Sequence, residues 1–440
     1  MCTGGKMRIV SLTVGGFRNL DRTTIELSGI TAVAAPNNYG KSNLFDAIYF
    51  GTEFLNASPA VRRRMMSDPS FVPLNPSLEN DPYHFEVLLE APELPAEYRF
   101  IRYSYEFAWI RDGEHDGRIT DESIEAGPRN SNRLVSFLWR SRGRYRKGKG
   151  TRSHRQINLD GDQLAIDILT SIAEAEISLV VREVKKLSFR LMADIDVRRT
   201  YVQSPWEFPT FGALPADETD IPRALHDLKM EDPDSFRDFQ ASAVSLFPDI
   251  KSIDVIAYQP SREYREVYDR IVSEDEGEQD VPFRIKDEMY ALIIDTLHFN
   301  QPVNATMMSS GTQRVLWLVA CSIIARAKGV PFLGIEEIEA SIHPRMIGTL
   351  LEELDEGLGD TGLLVSSHSP YLIQYLKPQS VYLAVPTDDG TAAFRRLSKA
   401  GAREAADMAY DHGMGLGEYL FDMMSSDEEE AAKIARWLEA

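Results

Sequence analysis

Cysteine is scarce in this sequence of 440 residues, which contains only Cys2 and Cys321. Two cysteines this far apart provide neither a disulfide framework nor the closely spaced thiol ligands of a zinc site. A chain that depends on neither is expected in a reducing compartment, and we predict a cytoplasmic protein.

Long apolar runs are also missing. No segment approaches the roughly 18 consecutive apolar residues that a helix needs to cross a bilayer, and no apolar stretch follows Lys6 and Arg8 as it would in a signal peptide. The sequence therefore predicts neither a membrane span nor a membrane partner. Its apolar fraction of 43% is still large enough for a sizeable buried core.

The chain has no excess of positive charge, because its formal net charge is −20. Such a chain is not expected to coat nucleic acid through its overall charge, although it is compatible with a local basic patch. Residues 127–159 contain no Asp or Glu, and ten Lys or Arg lie between Arg129 and Arg155. Trp139 and Tyr145 lie among these charges, as in a loop that contacts DNA or RNA. A solvated loop and a protein-docking loop are the alternatives.

Strand and helix patterns divide the chain into three parts. Residues 1–120 begin with strands, including the short apolar run Gly29–Ala35, and continue into a meander. Residues 121–280 hold the basic segment and two helical stretches, Gln163–Leu191 and Ile221–Leu246. Residues 281–440 return to alternating strands and helices. The predicted fold is α/β, with a mixed sheet, an antiparallel meander and a helical insertion lobe.

The strongest motif is the segment Ala35–Ser42, which ends in Gly-Lys-Ser between a buried strand and a helix. Backbone N–H groups of such a loop and of the following helix N-terminus wrap phosphate groups. Lys41 would neutralise the β- and γ-phosphates, and the Ser42 hydroxyl would hold Mg²⁺. The motif therefore predicts ATP and Mg²⁺ as cofactors. The predicted contacts come from Asn37, Asn38, Gly40, Lys41, Ser42 and Asn43.

Two acids, Glu336 and Glu337, follow the buried strand Val330–Ile335. Unpaired carboxylates at the end of a buried strand are costly, so these two are expected to have a function. The first can orient Mg²⁺ through water, and the second can accept a proton from an attacking water molecule. A solvated helix N-terminus also favours acids and is the alternative.

Two further motifs lie at element ends. The small residues around Ser309 and Gly311 precede the apolar helix Val315–Ala325 and leave N–H groups for an anion, with a plain helix cap as the alternative. His368 leaves the buried strand Leu363–Val365 and can touch a γ-phosphate, although most such histidines are ordinary loop residues.

The order of these four motifs resembles that of the ABC-type ATPases of the SMC, RecF and OLD kind, most closely the stand-alone bacterial AAA-like group. The resemblance covers Met7 to about Ala91 and Pro282 to about Leu383, and the segment Leu225–Val255 is also similar. It implies an ABC/SMC-type P-loop head that forms a homodimer or a higher homo-oligomer around ATP. Two positions depart from the usual pattern. Ala35 replaces the first glycine of the loop, and Ile338 replaces a frequent proline.

The resemblance also implies a role for each matching residue. Ser42 and Glu336 serve Mg²⁺, and Glu337 activates water. Ser309 and Gly311 match the signature motif, which contacts ATP bound to the opposite subunit. His368 matches the switch histidine, and Glu339–Pro344 looks like the segment that crosses the dimer interface. Relatives also use a glutamine that links Mg²⁺ to the second lobe. Gln203 is the first candidate and Gln259 the second, while a surface glutamine is the alternative for each.

Several functions are not expected. The chain has no sustained heptad pattern, so the long coiled coil of true SMC proteins is absent. No acidic triad on strands follows His368, and we predict no nuclease.

The predicted function is an ATP-hydrolysing head that couples its ATP state to a conformational signal in DNA-related work, including anti-phage defence. A separate effector would supply the output, docked for example by the acidic clusters Glu274–Asp280 and Asp427–Glu430. Acids that only keep the protein in solution are the alternative for each cluster. The alternatives are a RecF-like repair ATPase and an ATP-binding scaffold with little turnover.

Overall fold

The computed structural model describes most of the chain. The described residues are 6–36, 39–67, 72–110, 118–128, 134–141, 144–147, 155–156, 159–169, 175–192, 196–207, 220–274, 283–387, 389–426 and 433–439. The predicted nucleotide contacts Asn37 and Asn38 lie outside these residues, as do most of the basic segment, the acidic cluster Asp427–Glu430 and the cluster Glu274–Asp280 beyond Glu274.

The described chain forms two compact units. The first comprises Met1–Ala193, Gly329–Ile338 and Asp360–Ala440, and the second comprises Asp194–Lys328 and Glu339–Gly359. The backbone therefore leaves the first unit and returns to it twice. These limits do not coincide with the divisions at residues 120 and 280, so the three functional segments stay a prediction.

The strands are numbered in chain order. They are β1 (Arg8–Gly15), β2 (Thr23–Glu26), β3 (Ile30–Ala34), β4 (Tyr83–Glu90), β5 (Phe100–Ala108), β6 (Arg118–Gly127), β7 (Val135–Ser141), β8 (Arg144–Lys147), β9 (Arg155–Gln156), β10 (Arg190–Met192), β11 (Trp206–Glu207), β12 (Ile250–Tyr258), β13 (Arg284–Ile285), β14 (Met289–Thr296), β15 (Val303–Asn304), β16 (Phe332–Ile335), β17 (Gly362–Ser367), β18 (Val381–Pro386) and β19 (Ala392–Arg396).

The α-helices are numbered in the same way. They are α1 (Lys41–Asn56), α2 (Pro59–Met66), α3 (Ala165–Leu169), α4 (Ala175–Lys185), α5 (Val197–Thr200), α6 (Ile221–Glu231), α7 (Pro233–Leu246), α8 (Arg262–Glu274), α9 (Ser310–Lys328), α10 (Pro344–Leu358), α11 (Pro370–Tyr375), α12 (Lys399–Asp411) and α13 (Leu416–Ser425). None of the described helices is long and apolar enough to cross a membrane.

A largely parallel sheet forms one layer of the first unit. Its strand order is β10-β16-β17-β3-β18-β19, and the last strand alone runs antiparallel to its neighbour. Every residue of β3 and β17 is buried, which explains why both read as continuous apolar runs. The carboxyl ends of parallel strands lie at one edge of a sheet. This topology therefore places the ends of β3, β16 and β17, with the motifs that follow them, at that shared edge.

The second layer of this unit is the predicted meander. It is an antiparallel sheet with the order β2-β1-β4-β5-β6-β7-β8-β9. Helix α1 packs on it through aromatic rings, for example Phe54 on Phe107 with centroids 4.7 Å apart. Tyr83 and Tyr105 also donate hydrogen bonds from the sheet to carbonyls of α1, at 2.8 and 2.7 Å. Burial raises the pKa of both phenols, so they stay neutral donors. These contacts fix the helix that carries the phosphate-loop lysine and serine.

The second unit contains α5 to α10 together with two small sheets, β12-β14-β15 and β11-β13. Helix α9 is buried from Gln313 to Ala325, as its continuous apolar sequence predicts, and it packs against α6, α7 and α10. The α/β fold class, with mixed and antiparallel sheets and a helical lobe, is thus confirmed.

Two predicted helices are wrong in their extent. The stretch Gln163–Leu191 ends in strand β10, because pairing with β16 overrides the helical pattern of its last residues. The stretch Ile221–Leu246 is two helices that meet at Asp232. Pro233 has no N–H and restricts the residue before it, so α6 ends there. Asp232 then caps α7 by accepting a hydrogen bond from Ser235 N at 3.1 Å.

Candidate functional site

The phosphate-binding loop joins β3 to α1. Gly40 stands directly before α1 with a φ of 84°, a left-handed conformation that favours glycine. A Cβ at this position would lie 2.8 Å from the Ala392 Cβ, so a side chain is also excluded by space. Ala35 is fully buried and is not among the described residues with a positive φ, which explains why alanine can replace a glycine there.

Lys41 places its ammonium group at this loop. The side chain is 6% exposed, and its Nζ donates to the carbonyls of Ala35 at 2.6 Å and Pro36 at 2.9 Å. The same Nζ lies 3.4 Å from His368 Nδ1. A buried lysine at a helix N-terminus is a strong anion site, because the helix dipole and the fixed charge act together. The lysine and the histidine therefore meet where a phosphate would bind.

Ser42 and Glu336 form the second part of the site. The Ser42 hydroxyl donates to Glu336 Oε2 at 2.7 Å, although 294 positions separate the two residues in the chain. A hydroxyl and a carboxylate are the oxygen ligands that Mg²⁺ prefers, usually together with phosphate oxygens and water. This donor pair fits Mg²⁺ bound to a nucleotide.

Glu337 and His368 form the third part. The distance from His368 Nε2 to Glu337 Oε1 is 3.8 Å, and the two side chains are 35% and 62% exposed, respectively. Glu337 is accessible to water and adjoins the residues described above, as a base that activates water requires. Its backbone has a φ of 49°, which is uncommon for a residue with a side chain.

The side chain of Asn43 is engaged by a loop that the sequence did not single out. Its Oδ1 accepts a hydrogen bond from Arg18 at 2.9 Å, and its Nδ2 donates to Asn19 Oδ1 at 2.6 Å. Arg18 also pairs with Asp46 at 2.5 Å. The β1–β2 loop is thereby fastened to the first turn of α1. The role of Asn43 in nucleotide binding stays a prediction.

The signature residues lie in the second unit. Ser309 precedes α9 and caps it, because its Oγ accepts a hydrogen bond from Thr312 N at 3.1 Å. A Cβ at Gly311 would lie 2.7 Å from the Ser341 carbonyl oxygen, so this position must be small. The first turn of α9 therefore packs directly on the segment predicted to cross a dimer interface. A helix cap and an anion site are compatible here, and the signature role stays a prediction.

Gln203 is also in the second unit. Its amide nitrogen donates to Asp220, and its Oε1 accepts from Tyr290 N at 3.0 Å. Burial raises the pKa of Asp220. Gln259 accepts a hydrogen bond from Arg265 at 3.4 Å. Both amides thus have partners within the second unit, and a role of either one toward Mg²⁺ stays a prediction.

The basic segment is only partly described. Arg140 belongs to the buried interior, where it donates to Gln163 O at 2.6 Å and lies 3.8 Å from Glu122. Burial raises the pKa of Glu122 and lowers that of Arg140. This arginine is therefore not one of the charges that a nucleic acid could contact. The neighbouring Trp139 is 38% exposed.

Comparisons with known proteins agree with this architecture. The model of a family described as "AAA domain, putative AbiEii toxin, Type IV TA system" matches residues 30–374. The crystal structure of an SMC head bound to the C-terminal winged-helix domain of ScpA is similar to the chain, with a TM-score of 0.51 and 14% identity over 90% of this chain and 99% of that one. At this identity the likeness concerns the fold alone. No curated protein matches the chain significantly.

Two further solved structures have lower scores. The SMC head of Pyrococcus furiosus with an extended coiled coil, bound to the C-terminal domain of ScpA, has a TM-score of 0.48 and 13% identity over 92% of this chain and 100% of that one. The recombination mediator RecF has a TM-score of 0.40 and 11% identity over 90% and 100%. The family model spans well over half of the sequence, so the chain belongs to this AAA-domain family, and it has the fold of an SMC head domain.

Proposed function

We propose that this chain binds ATP with Mg²⁺ and hydrolyses it. The observation that carries the proposal is the meeting of Lys41, the Ser42–Glu336 pair and the Glu337–His368 pair at one edge of the parallel sheet. Lys41 would neutralise phosphate charge, and His368 beside it would contact the terminal phosphate. Ser42 and Glu336 would hold Mg²⁺, which supplies further positive charge when bound. Glu337 would take the proton from the attacking water.

Phosphate release by the purified protein tests this proposal. Lys41→Ala should abolish ATP binding, because the loop loses its fixed cation. Glu337→Gln should retain ATP binding and lose turnover, since a carboxamide cannot accept the proton. Turnover that survives in Glu337→Gln would contradict the assigned base. Absence of turnover in the wild type would instead favour the scaffold alternative, in which ATP only assembles partners.

We also propose that the working form is a homodimer or a higher homo-oligomer that shares its nucleotide sites. Ser309 and Gly311 at the start of α9 would contact ATP held by the phosphate loop of a second copy. The N-terminus of a helix suits a phosphate, and the resemblance to ABC-type ATPases supports this arrangement. Glu337→Gln should then accumulate as an ATP-bound dimer. Light scattering with ATP and Mg²⁺ that reports a strict monomer would contradict it.

The output of this cycle would be a conformational signal to a separate effector protein, in DNA-related work such as anti-phage defence. The family description, which includes a toxin–antitoxin system, supports a role in defence. Purification of the tagged chain from its native host, with and without ATP, should recover the effector. An isolated homodimer with nuclease activity of its own would contradict this part of the proposal.

The main alternative is a RecF-like ATPase of DNA repair or recombination. The basic segment Arg129–Arg155 favours it, since this segment has ten Lys or Arg and no acid. Stimulation of ATP turnover by DNA ends, without a protein partner, would distinguish this alternative from an effector-coupled system.

A further inference from the structure

The backbone at Glu337 adopts a conformation that needs support. Strand β16 ends at Ile335, and Glu336 N still donates to the Met192 carbonyl of β10 at 3.1 Å. Glu337 then turns away from the sheet with a φ of 49°. For a residue with a side chain, this left-handed region costs about 1–2 kcal/mol relative to ordinary backbone. Such conformations persist where surrounding contacts enforce them, and they cluster at active sites.

Ser366 supplies such a contact. The N–H group of Glu337 donates to Ser366 Oγ at 3.1 Å. Ser366 lies on β17, one residue beyond the pair formed by Ile335 and Val365, and is 1% exposed. Its hydroxyl thus takes the place of the backbone acceptor that a continued strand would have offered. A hydrogen bond of this kind contributes about 0.5–1.5 kcal/mol net, so it favours the turn over alternative paths.

The same strand end also carries His368. Ser366 therefore holds the backbone of Glu337, while the His368 ring lies 3.8 Å from the Glu337 carboxylate. The direction in which the Glu337 carboxylate points depends on this backbone, because Glu337 lies in a turn and not in the regular strand. A displacement of about 1 Å at a reacting group can lower a rate by roughly 100-fold.

We propose that Ser366 is a positioning residue for ATP hydrolysis. Its hydroxyl holds Glu337 in the left-handed turn from which the carboxylate serves the attacking water. This inference rests on the function proposed above, in which Glu337 is the base. It adds that the neighbouring strand β17 sets the water-activating geometry, through the bond from the Glu337 N–H group to the Ser366 hydroxyl.

The test compares Ser366→Ala with a matched control, Thr361→Val. Thr361 lies directly before β17 and donates to the carbonyl of Val330, two residues before β16, at 2.9 Å. It therefore links the same two chain segments at their opposite end. Ser366→Ala should lower kcat about 10-fold or more and leave the affinity for a non-hydrolysable ATP analogue within about 2-fold. Thr361→Val should leave both kcat and affinity close to wild type. Ser366→Thr keeps the hydroxyl and should retain most of kcat.

A second comparison separates positioning from general damage. If Ser366 acts through Glu337, then Ser366→Ala should not lower the residual single-turnover rate of the Glu337→Gln protein any further. Ser366→Cys, a second variant of similar volume with a weak acceptor, should behave like Ser366→Ala. An unchanged kcat in Ser366→Ala, or an equal loss of rate in the wild-type and Glu337→Gln backgrounds, would overturn the inference. A wild-type protein without turnover would overturn the proposed function as well, so the two failures are distinguishable.

Discussion

Gly40 and Ala35 illustrate at the residue scale how backbone geometry decides where the phosphate loop needs glycine. Gly40 combines a φ of 84° with a neighbouring Ala392 Cβ that would lie 2.8 Å from an added Cβ. Ala35 has neither restriction, so the departure from the usual loop pattern has no structural cost that the geometry reveals. The two positions therefore make opposite predictions for substitution.

Gly40→Ala should destabilise the protein by about 1–3 kcal/mol, because the methyl group is both strained and crowded. Urea unfolding measures this loss, and titration with an ATP analogue should show weaker binding. Addition of Ala392→Gly should recover only the part that is due to crowding. Ala35→Gly is the control, with binding near that of the wild type. Wild-type stability in Gly40→Ala would contradict the described loop geometry.

At the scale of elements, a buried arginine fastens the end of helix α1. Arg62 is fully buried, and it donates to the carbonyls of Phe54 at 2.8 Å and Leu55 at 2.9 Å. It also forms an ion pair with Asp167, to which Lys185 donates at 2.7 Å. Burial raises the pKa of Asp167, but the hydrogen bonds from the two cations outweigh it and leave the pKa below its ordinary value. Lys185 also donates to Leu55 O at 2.9 Å, so side chains of α2 and α4 satisfy the carbonyls of Phe54 and Leu55 near the end of α1.

Arg62→Met should lower the free energy of unfolding by about 3–5 kcal/mol, since it leaves buried carbonyls and a carboxylate with fewer partners. The matched control is Arg64→Met on the same helix, where the side chain is exposed and the change should stay within about 0.5 kcal/mol. Denaturant unfolding of both variants checks the difference. If Arg62→Met and Arg64→Met have equal free energies of unfolding, the buried network contributes nothing to the stability of the fold.

The elements also show what the sequence could predict. Local pattern singles out Glu336, Glu337 and His368 as candidates, because each follows an apolar strand and parallel strands end at a common edge. The order of the motifs and the family resemblance supplied their proposed roles, which stay a prediction. The contact of Ala392 with Gly40 joins residues 352 positions apart and leaves no local signal. The same holds for the bond between Ser366 and Glu337. Helix limits failed where tertiary pairing or a proline overrode the apolar period, at β10 and at Pro233.

The distribution of charge is a property of the whole molecule. The net charge of −20 contrasts with the acid-free stretch of residues 127–159. If this stretch contacts nucleic acid, binding should weaken steeply with salt, because each neutralised phosphate releases counterions. Replacement of Arg142, Arg144, Arg146 and Lys147 by alanine should flatten the dependence of log K on log salt by up to about 0.9 per lost contact.

A control with the same change in charge separates this local effect from a general one. Arg198, Arg199, Arg262 and Arg265 are all exposed and lie in the second unit. Their replacement by alanine should leave the salt slope unchanged. Identical slopes for the two quadruple variants, or no binding by the wild type at low salt, would contradict nucleic-acid recognition by the basic segment.

The central claim is that two copies of the chain complete each other's ATP sites, and mixing two inactive variants tests it most directly. Lys41→Ala lacks the phosphate-loop cation, and Ser309→Arg lacks a functional signature. In a mixed dimer, the intact loop of one protomer meets the intact signature of the other. With random mixing and independent sites, phosphate release should recover to at most about a quarter of the wild-type rate. A mixture that stays as inactive as either variant alone would contradict the shared site.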